Sequence, residues 1–215
     1  MSKLFIVGVG PGSKEYLTQI AIETVKKVDL VIGSQRAIDL FDEISNTIVF
    51  NVKNLNIHLY DAIEHVIRGK TVALLSTGDP GFSGLLKPIL QIAKEKGLDK
   101  EKIEVIPSVS SLQLAAAKTH VSWDNVNIMT FHGKKDESTI LNVIDNGKVS
   151  IVLPSRDVKD FAKFLIDSKI DGNRKIAICE RLSYLDEKIV FSDLKSIIDS
   201  NFSYMCVVVI FPNET

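Results

Sequence analysis

A chain of 215 residues, 45% hydrophobic and 25% charged, is long and apolar enough to bury a sizeable core, which excludes a disulfide-stapled miniature and global disorder. Lysine and arginine total 26 against 27 aspartate and glutamate, a formal net charge of −1, and no long basic run is present, so no nucleic-acid partner is expected. The apolar stretches 4–9 and 205–211 are of strand length, too short to cross a bilayer, and Gly-Pro-Gly follows the first in place of a cleavage site. A cytoplasmic protein with no membrane partner is expected, its Cys179 and Cys206 reduced within apolar runs.

In chain order, short β-branched runs predict strands at 4–9, 30–32, 71–75, 103–106, 126–131, 151–153, 175–179 and 205–210. Between them, apolar stripes of helical period predict helices at 56–68, 85–96, 139–146, 158–168 and 193–200, with a small-residue helix around Leu114 and Ala117. The first helix starts at Thr18, a good N-cap type, and aligns Ala21, Val25 and Val28 on one side. Such alternation predicts an α/β fold with largely parallel strands. His, Ser, Trp, Asp and Asn interrupt the alternation between Lys118 and Asn125, which predicts two α/β lobes, 1–118 and 119–215, each with a mostly parallel sheet and a ligand cleft between them.

Val7-Gly8-Val9-Gly10-Pro11-Gly12-Ser13 leaves the first strand in the manner of a dinucleotide fingerprint, but Ser13 replaces the third glycine and Pro11 removes an amide donor. The second strand ends at Gly33-Ser34-Gln35 without an acidic ribose anchor. A ligand without phosphates fits this loop better than a pyrophosphate does; a plain strand-to-helix turn is the other reading. The loop from Ser76 through Thr77-Gly78-Asp79-Pro80-Gly81-Phe82 to Gly84 follows another apolar strand. Its Asp79 either orients a cationic or hydroxyl-bearing ligand or hydrogen-bonds local amides in a turn. Pro107-Ser108-Val109-Ser110-Ser111 follows a third strand, and Ser110 or Ser111 is either a ligand contact or a helix cap. Together these loops predict one pocket at the carboxyl edge of a parallel sheet. His58 and His65 fall on one helix without an HExxH pattern, while His120 and His132 lie in separate segments, so no protein-bound metal is expected.

The three loops, in this order and spacing, resemble those of the tetrapyrrole methylases, and the resemblance extends over essentially the whole chain. Gly33-Ser34-Gln35-Arg36, Ser76-Thr77-Gly78-Asp79-Pro80-Gly81-Phe82-Ser83, the His132-Gly133 pair and the segment Glu180-Arg181-Leu182-Ser183-Tyr184-Leu185-Asp186-Glu187 are similar to the branch that methylates carbon 5 of cobalt-precorrin-7. That branch usually carries Glu-Asn-Leu-Gly where this chain has Arg181 and Ser183. The resemblance implies S-adenosylmethionine as methyl donor, a cobalt-precorrin substrate, a homodimer and a separate carbon-15 methyltransferase and decarboxylase. By the same resemblance Pro11, Thr77, Gly78, Asp79, Phe82, Ser110 and Ser111 contact the donor, with Ser155 closing it from the second lobe.

Carboxylates around the macrocycle call for basic residues, and Ser34, Arg36, Lys134 and Arg156 border the loops as substrate-binding candidates, with Lys135 beside them; any of the charges is alternatively a solvated surface group. His132 is the catalytic candidate if a proton moves near neutral pH. Two alternatives use the same loops: methylation of another precorrin carbon, and a non-enzymatic protein that binds a small molecule or nucleotide.

Overall fold

The computed structural model describes residues 2–131 and 138–213. It divides into two compact units, Met1–Ser110 and Ser111–Thr215. In the first, strands β1 (Leu4–Gly8), β2 (Leu30–Ser34), β3 (Thr47–Phe50), β4 (Val72–Ser76) and β5 (Ile103–Ile106) alternate with helices α1 (Gln19–Val25), α2 (Gln35–Ile38), α3 (Leu55–Ile67) and α4 (Leu86–Glu95). The sheet runs β3-β2-β4-β1-β5 and every pair in it is parallel.

Burial on both faces explains the continuous apolar strands: Leu59, Ile63 and Val66 of α3 and Ile89 of α4 pack with Leu4, Ile6, Ile32 and Leu74 on one side. Ala21 and Val25 of α1 and Ala37 of α2 cover Val7, Val31, Ala73 and Leu75 on the other. Thr18 caps α1 as expected, its Oγ1 accepting the Ala21 N–H at 3.2 Å. Because β1 lies between β4 and β5, the loops leaving these three strands are neighbours at the carboxyl edge.

The second unit holds α5 (Ser111–Lys118), β6 (Asn127–Thr130), α6 (Ser138–Ile144), β7 (Ser150–Leu153), α7 (Val158–Asp167), β8 (Lys175–Glu180), β9 (Lys188–Asp193) and β10 (Cys206–Ile210), in the sheet order β6-β7-β10-β8-β9. The expectation of a mostly parallel sheet in each lobe is met in the first and corrected here. Only β6 and β7 are parallel, whereas β10 runs antiparallel to β7 and β8, and β8 antiparallel to β9. A turn as short as that between β8 and β9 permits only a hairpin. The helix expected at 193–200 is a single 3₁₀ turn, Lys195–Ile197, and Asp193 instead ends β9. The units part after Ser110, eight residues before the expected division between 118 and 119, because α5 packs on β7 and β10. Phe131 meets Phe161 edge-on at 5.0 Å in the core of this unit.

Exposed or partly exposed carboxyls are held below their ordinary values by hydrogen bonds: Asp29 by the Thr71 N–H and hydroxyl, Glu64 by Lys96, Asp186 by Arg181 and Asp193 by Ser196. A carboxyl with a lowered folded-state pKa binds fewer protons folded than unfolded, so its contribution is full above the unfolded value and is lost as pH falls through the folded one. The thermal midpoint is therefore expected to stay level from neutrality to about pH 5 and to fall below about pH 4. A midpoint that rises on acidification through that window contradicts this.

Candidate functional site

The loop after β1 stays tied to β4, with the Val9 N–H donating to the Ser76 carbonyl at 3.0 Å. It then turns through Gly10, whose φ of 79° is left-handed backbone suited to glycine, and the Gly10 carbonyl accepts the Gly78 N–H at 2.8 Å. Gly78 is also left-handed, at 68°, and no atom lies within 4 Å of where its Cβ would stand, so the backbone there borders open space. Pro11 and Gly12 are buried beside this bridge in the chain.

Ser108, after β5, links the other two loops. Its Oγ donates to the Gly78 carbonyl at 2.7 Å and accepts the Gly10 N–H at 3.0 Å. Its own N–H donates to Asp79 Oδ2 at 3.1 Å, while Asp79 Oδ1 accepts the Gly81 N–H at 2.8 Å. Asp79 is therefore a clamp between the second and third loops as well as a turn former. Ser76 Oγ, at the foot of the second loop, accepts the Leu85 N–H at 3.3 Å and leads the chain into α4.

Thr77, Gly78, Asp79 and Phe82 share the loop after β4, and Arg36 reaches it from α2 beyond β2, its Nη2 donating to Thr77 Oγ1 at 3.4 Å. The Ser34 hydroxyl accepts the Ala37 N–H at 3.3 Å and so serves as the cap of α2. Ser110 closes the first unit and Ser111 opens α5 in the second. Ser155 and Arg156 follow β7 there, both exposed, with the Arg156 guanidinium 5.0 Å from the centre of the Phe164 ring. His132, Lys134 and Lys135 lie outside the described residues.

The segment after β8 explains the two departures noted in the sequence. Arg181 and Ser183 adopt left-handed backbone, φ 48° and 70°, where glycine or asparagine is at ease. Arg181 Nε pairs with Asp186 Oδ2 at 2.6 Å and its guanidinium lies 4.6 Å from the Tyr184 ring centre. Glu187 accepts the Ser183 N–H at 2.7 Å and pairs with Lys118 at 2.5 Å; these contacts outweigh its burial and hold its carboxyl below the ordinary value. The surrounding contacts thus hold a strained path in place. Cys179 and Cys206 are buried, each thiol pushed up to about 12, which leaves them unreactive core groups.

Of the amides that a pyrophosphate would seek, Pro11 has none, the Gly10 N–H is given to Ser108 and the Gly78 N–H to Gly10. What the edge offers is neutral backbone, open space beside Gly78 and the Asp79 carboxylate, a donor set that fits a cationic, phosphate-free molecule such as S-adenosylmethionine. Fold and loop geometry together define an α/β protein whose glycine-bearing loops converge at the carboxyl edge of a parallel sheet, the edge at which open α/β proteins bind small molecules.

Residues 3–198 match the model of the Tetrapyrrole (Corrin/Porphyrin) Methylases, and the chain belongs to that family of S-adenosylmethionine-dependent methyltransferases. A probable cobalt-precorrin-7 C(5)-methyltransferase of Methanocaldococcus jannaschii is 45% identical over 208 residues, 96% of each chain. A cobalt-precorrin-4 C(11)-methyltransferase of the same organism is 29% identical over 91% of this chain and 80% of its own. The solved uroporphyrin-III C-methyltransferase of Thermus thermophilus, complexed with S-adenosyl homocysteine, shares the fold, with a TM-score of 0.74 at 20% identity over 97% of this chain and 92% of that one. Among the described residues no helix is long and apolar enough to cross a membrane.

Proposed function

We propose that this enzyme transfers the methyl group of S-adenosylmethionine to carbon 5 of cobalt-precorrin-7 in cobalamin biosynthesis. The observation that carries the choice of carbon is the gap in similarity: 45% identity to the C(5) relative against 29% to the C(11) relative, both over nine-tenths or more of this chain. When bound, the donor supplies an activated methyl on a sulfonium; the electron pair of an enamine-like ring carbon forms the new bond to that methyl as the methyl–sulfur bond breaks, with S-adenosylhomocysteine as the leaving group. The chain has only to position the reactants and exclude water.

Pro11, Thr77, Gly78, Asp79, Phe82, Ser110, Ser111 and Ser155 are the donor contacts in this reading. Arg36 anchors a peripheral carboxylate through the two parallel hydrogen bonds a guanidinium can make, its plane oriented by the Thr77 hydroxyl 3.4 Å away. Ser34, Lys134 and Arg156 are further substrate contacts, and His132 takes up a ring proton. The same reading has the enzyme act as a homodimer, alongside a separate carbon-15 methyltransferase and decarboxylase.

Arg36→Lys tests the substrate assignment, because it keeps the charge and loses the fork. It is expected to lower kcat/KM for the macrocycle about tenfold or more while affinity for S-adenosylhomocysteine stays within about twofold of wild type. Unchanged turnover removes Arg36 from the substrate site. Saturable heat with NAD or ATP and none with S-adenosylmethionine contradicts the donor assignment itself.

A further inference from the structure

Ser108 makes no bond of the kind a turn serine usually makes. Its hydroxyl partners are Gly10 and Gly78, 98 and 30 residues away in the chain, and its N–H reaches Asp79, 29 residues away. The hydroxymethyl group also has a seat made for it. A Cβ on Gly8 would stand 2.6 Å from Ser108 Oγ and 2.9 Å from Ser108 Cβ, so the bare glycine at the end of β1 is what admits this side chain.

The two loops it joins turn on left-handed glycines, Gly10 and Gly78, which have more backbone freedom to lose on ordering than any other residue. A ligand that must order such loops binds more weakly by that cost, and a group that orders them beforehand removes it. We propose that Ser108 is a positioning residue that preorganises the donor loops, and that its hydroxyl sets the affinity for donor without touching it. The inference rests on the assignment of these loops to S-adenosylmethionine.

Removing the hydroxyl leaves the Gly10 N–H and the Gly78 carbonyl without this partner and frees the third loop from the first, with the Ser108 N–H bond to Asp79 as its remaining tie to the second, while the apolar strands beneath are untouched. Ser108→Ala is therefore expected to keep its thermal midpoint within a few degrees and to bind S-adenosylhomocysteine about tenfold more weakly in isothermal titration. Macrocycle KM at saturating donor should change less than donor affinity, since the hydroxyl bonds the loop backbone and not Arg36. Hydrogen exchange gives a second readout: the Gly10 amide should exchange faster in the variant while amides of β1 and β4 keep their protection.

Wild-type affinity in Ser108→Ala overturns the inference, as does a fall in thermal midpoint with protection lost across the sheet, which marks a merely structural serine. Failure of the wild-type enzyme to bind S-adenosylhomocysteine at all overturns the donor-site reading, and this inference with it.

Discussion

Gly8→Ala is expected to cost at least tenfold in affinity for S-adenosylhomocysteine while leaving a folded protein. The new methyl would stand 2.6 Å from Ser108 Oγ and 2.8 Å from Pro80 Cδ, closer than real side-chain carbons approach other atoms. Neither neighbour is the loose end of a flexible side chain: Ser108 is hydrogen-bonded on both sides and Pro80 is a buried ring. Relief therefore requires the loops after β4 and β5 to part from β1. Gly8 itself is not in left-handed backbone, so the penalty is steric alone, about 1–3 kcal/mol for overpacking of this kind. Titration and thermal unfolding of the purified variant check both halves of the expectation. Wild-type affinity would mean that the three loops need no close seating to bind donor.

The second large effect is on stability and lies in the other unit. Arg174 is 3% exposed, and its guanidinium is spent on the Phe211 carbonyl (Nε, 2.6 Å), the Ile144 carbonyl (Nη2, 2.9 Å) and Asp145 Oδ1 (Nη1, 3.1 Å). It staples the end of α6 and the chain leaving β10 to the start of β8. Arg174→Met keeps much of the aliphatic stem and removes the charge-assisted bonds, so the buried Ile144 carbonyl and the partly buried Phe211 carbonyl lose these donors. Breaking a fully buried pair costs about 3–5 kcal/mol, but Asp145 is exposed and rehydrates, which puts the expected loss nearer 3 kcal/mol. Urea unfolding should show this as a lower midpoint with an unchanged slope. A loss under about 1 kcal/mol would show that the staple contributes no more than an ordinary hydrogen bond.

Much of the first unit was legible in the sequence because its central strands are buried on both faces and read as unbroken apolar runs, as in Val72–Ser76. The edge strands β3 and β9 escaped notice since only alternate or partial burial marks them. Strand direction leaves no trace in hydrophobic period, which is why β10 between β7 and β8 reversed the expectation for the second sheet. Glycine and proline announced the site loops, each needing backbone freedom at a turn. What joins the loops was not legible. Asp79 stood open between ligand contact and turn, and its bond to the Ser108 amide spans two strands; Ser108 itself was passed over for Ser110 and Ser111, because a hydroxyl's distant partners appear only once β1, β4 and β5 lie side by side.

The most direct test of the central claim is to incubate the enzyme with cobalt-precorrin-7 and S-adenosylmethionine carrying a carbon-13 methyl, and to locate the label in the product by NMR. The account predicts a single new methyl resonance coupled to ring carbon 5, with S-adenosylhomocysteine formed in equal amount. Label at another ring carbon, or none transferred while the donor binds, would contradict it.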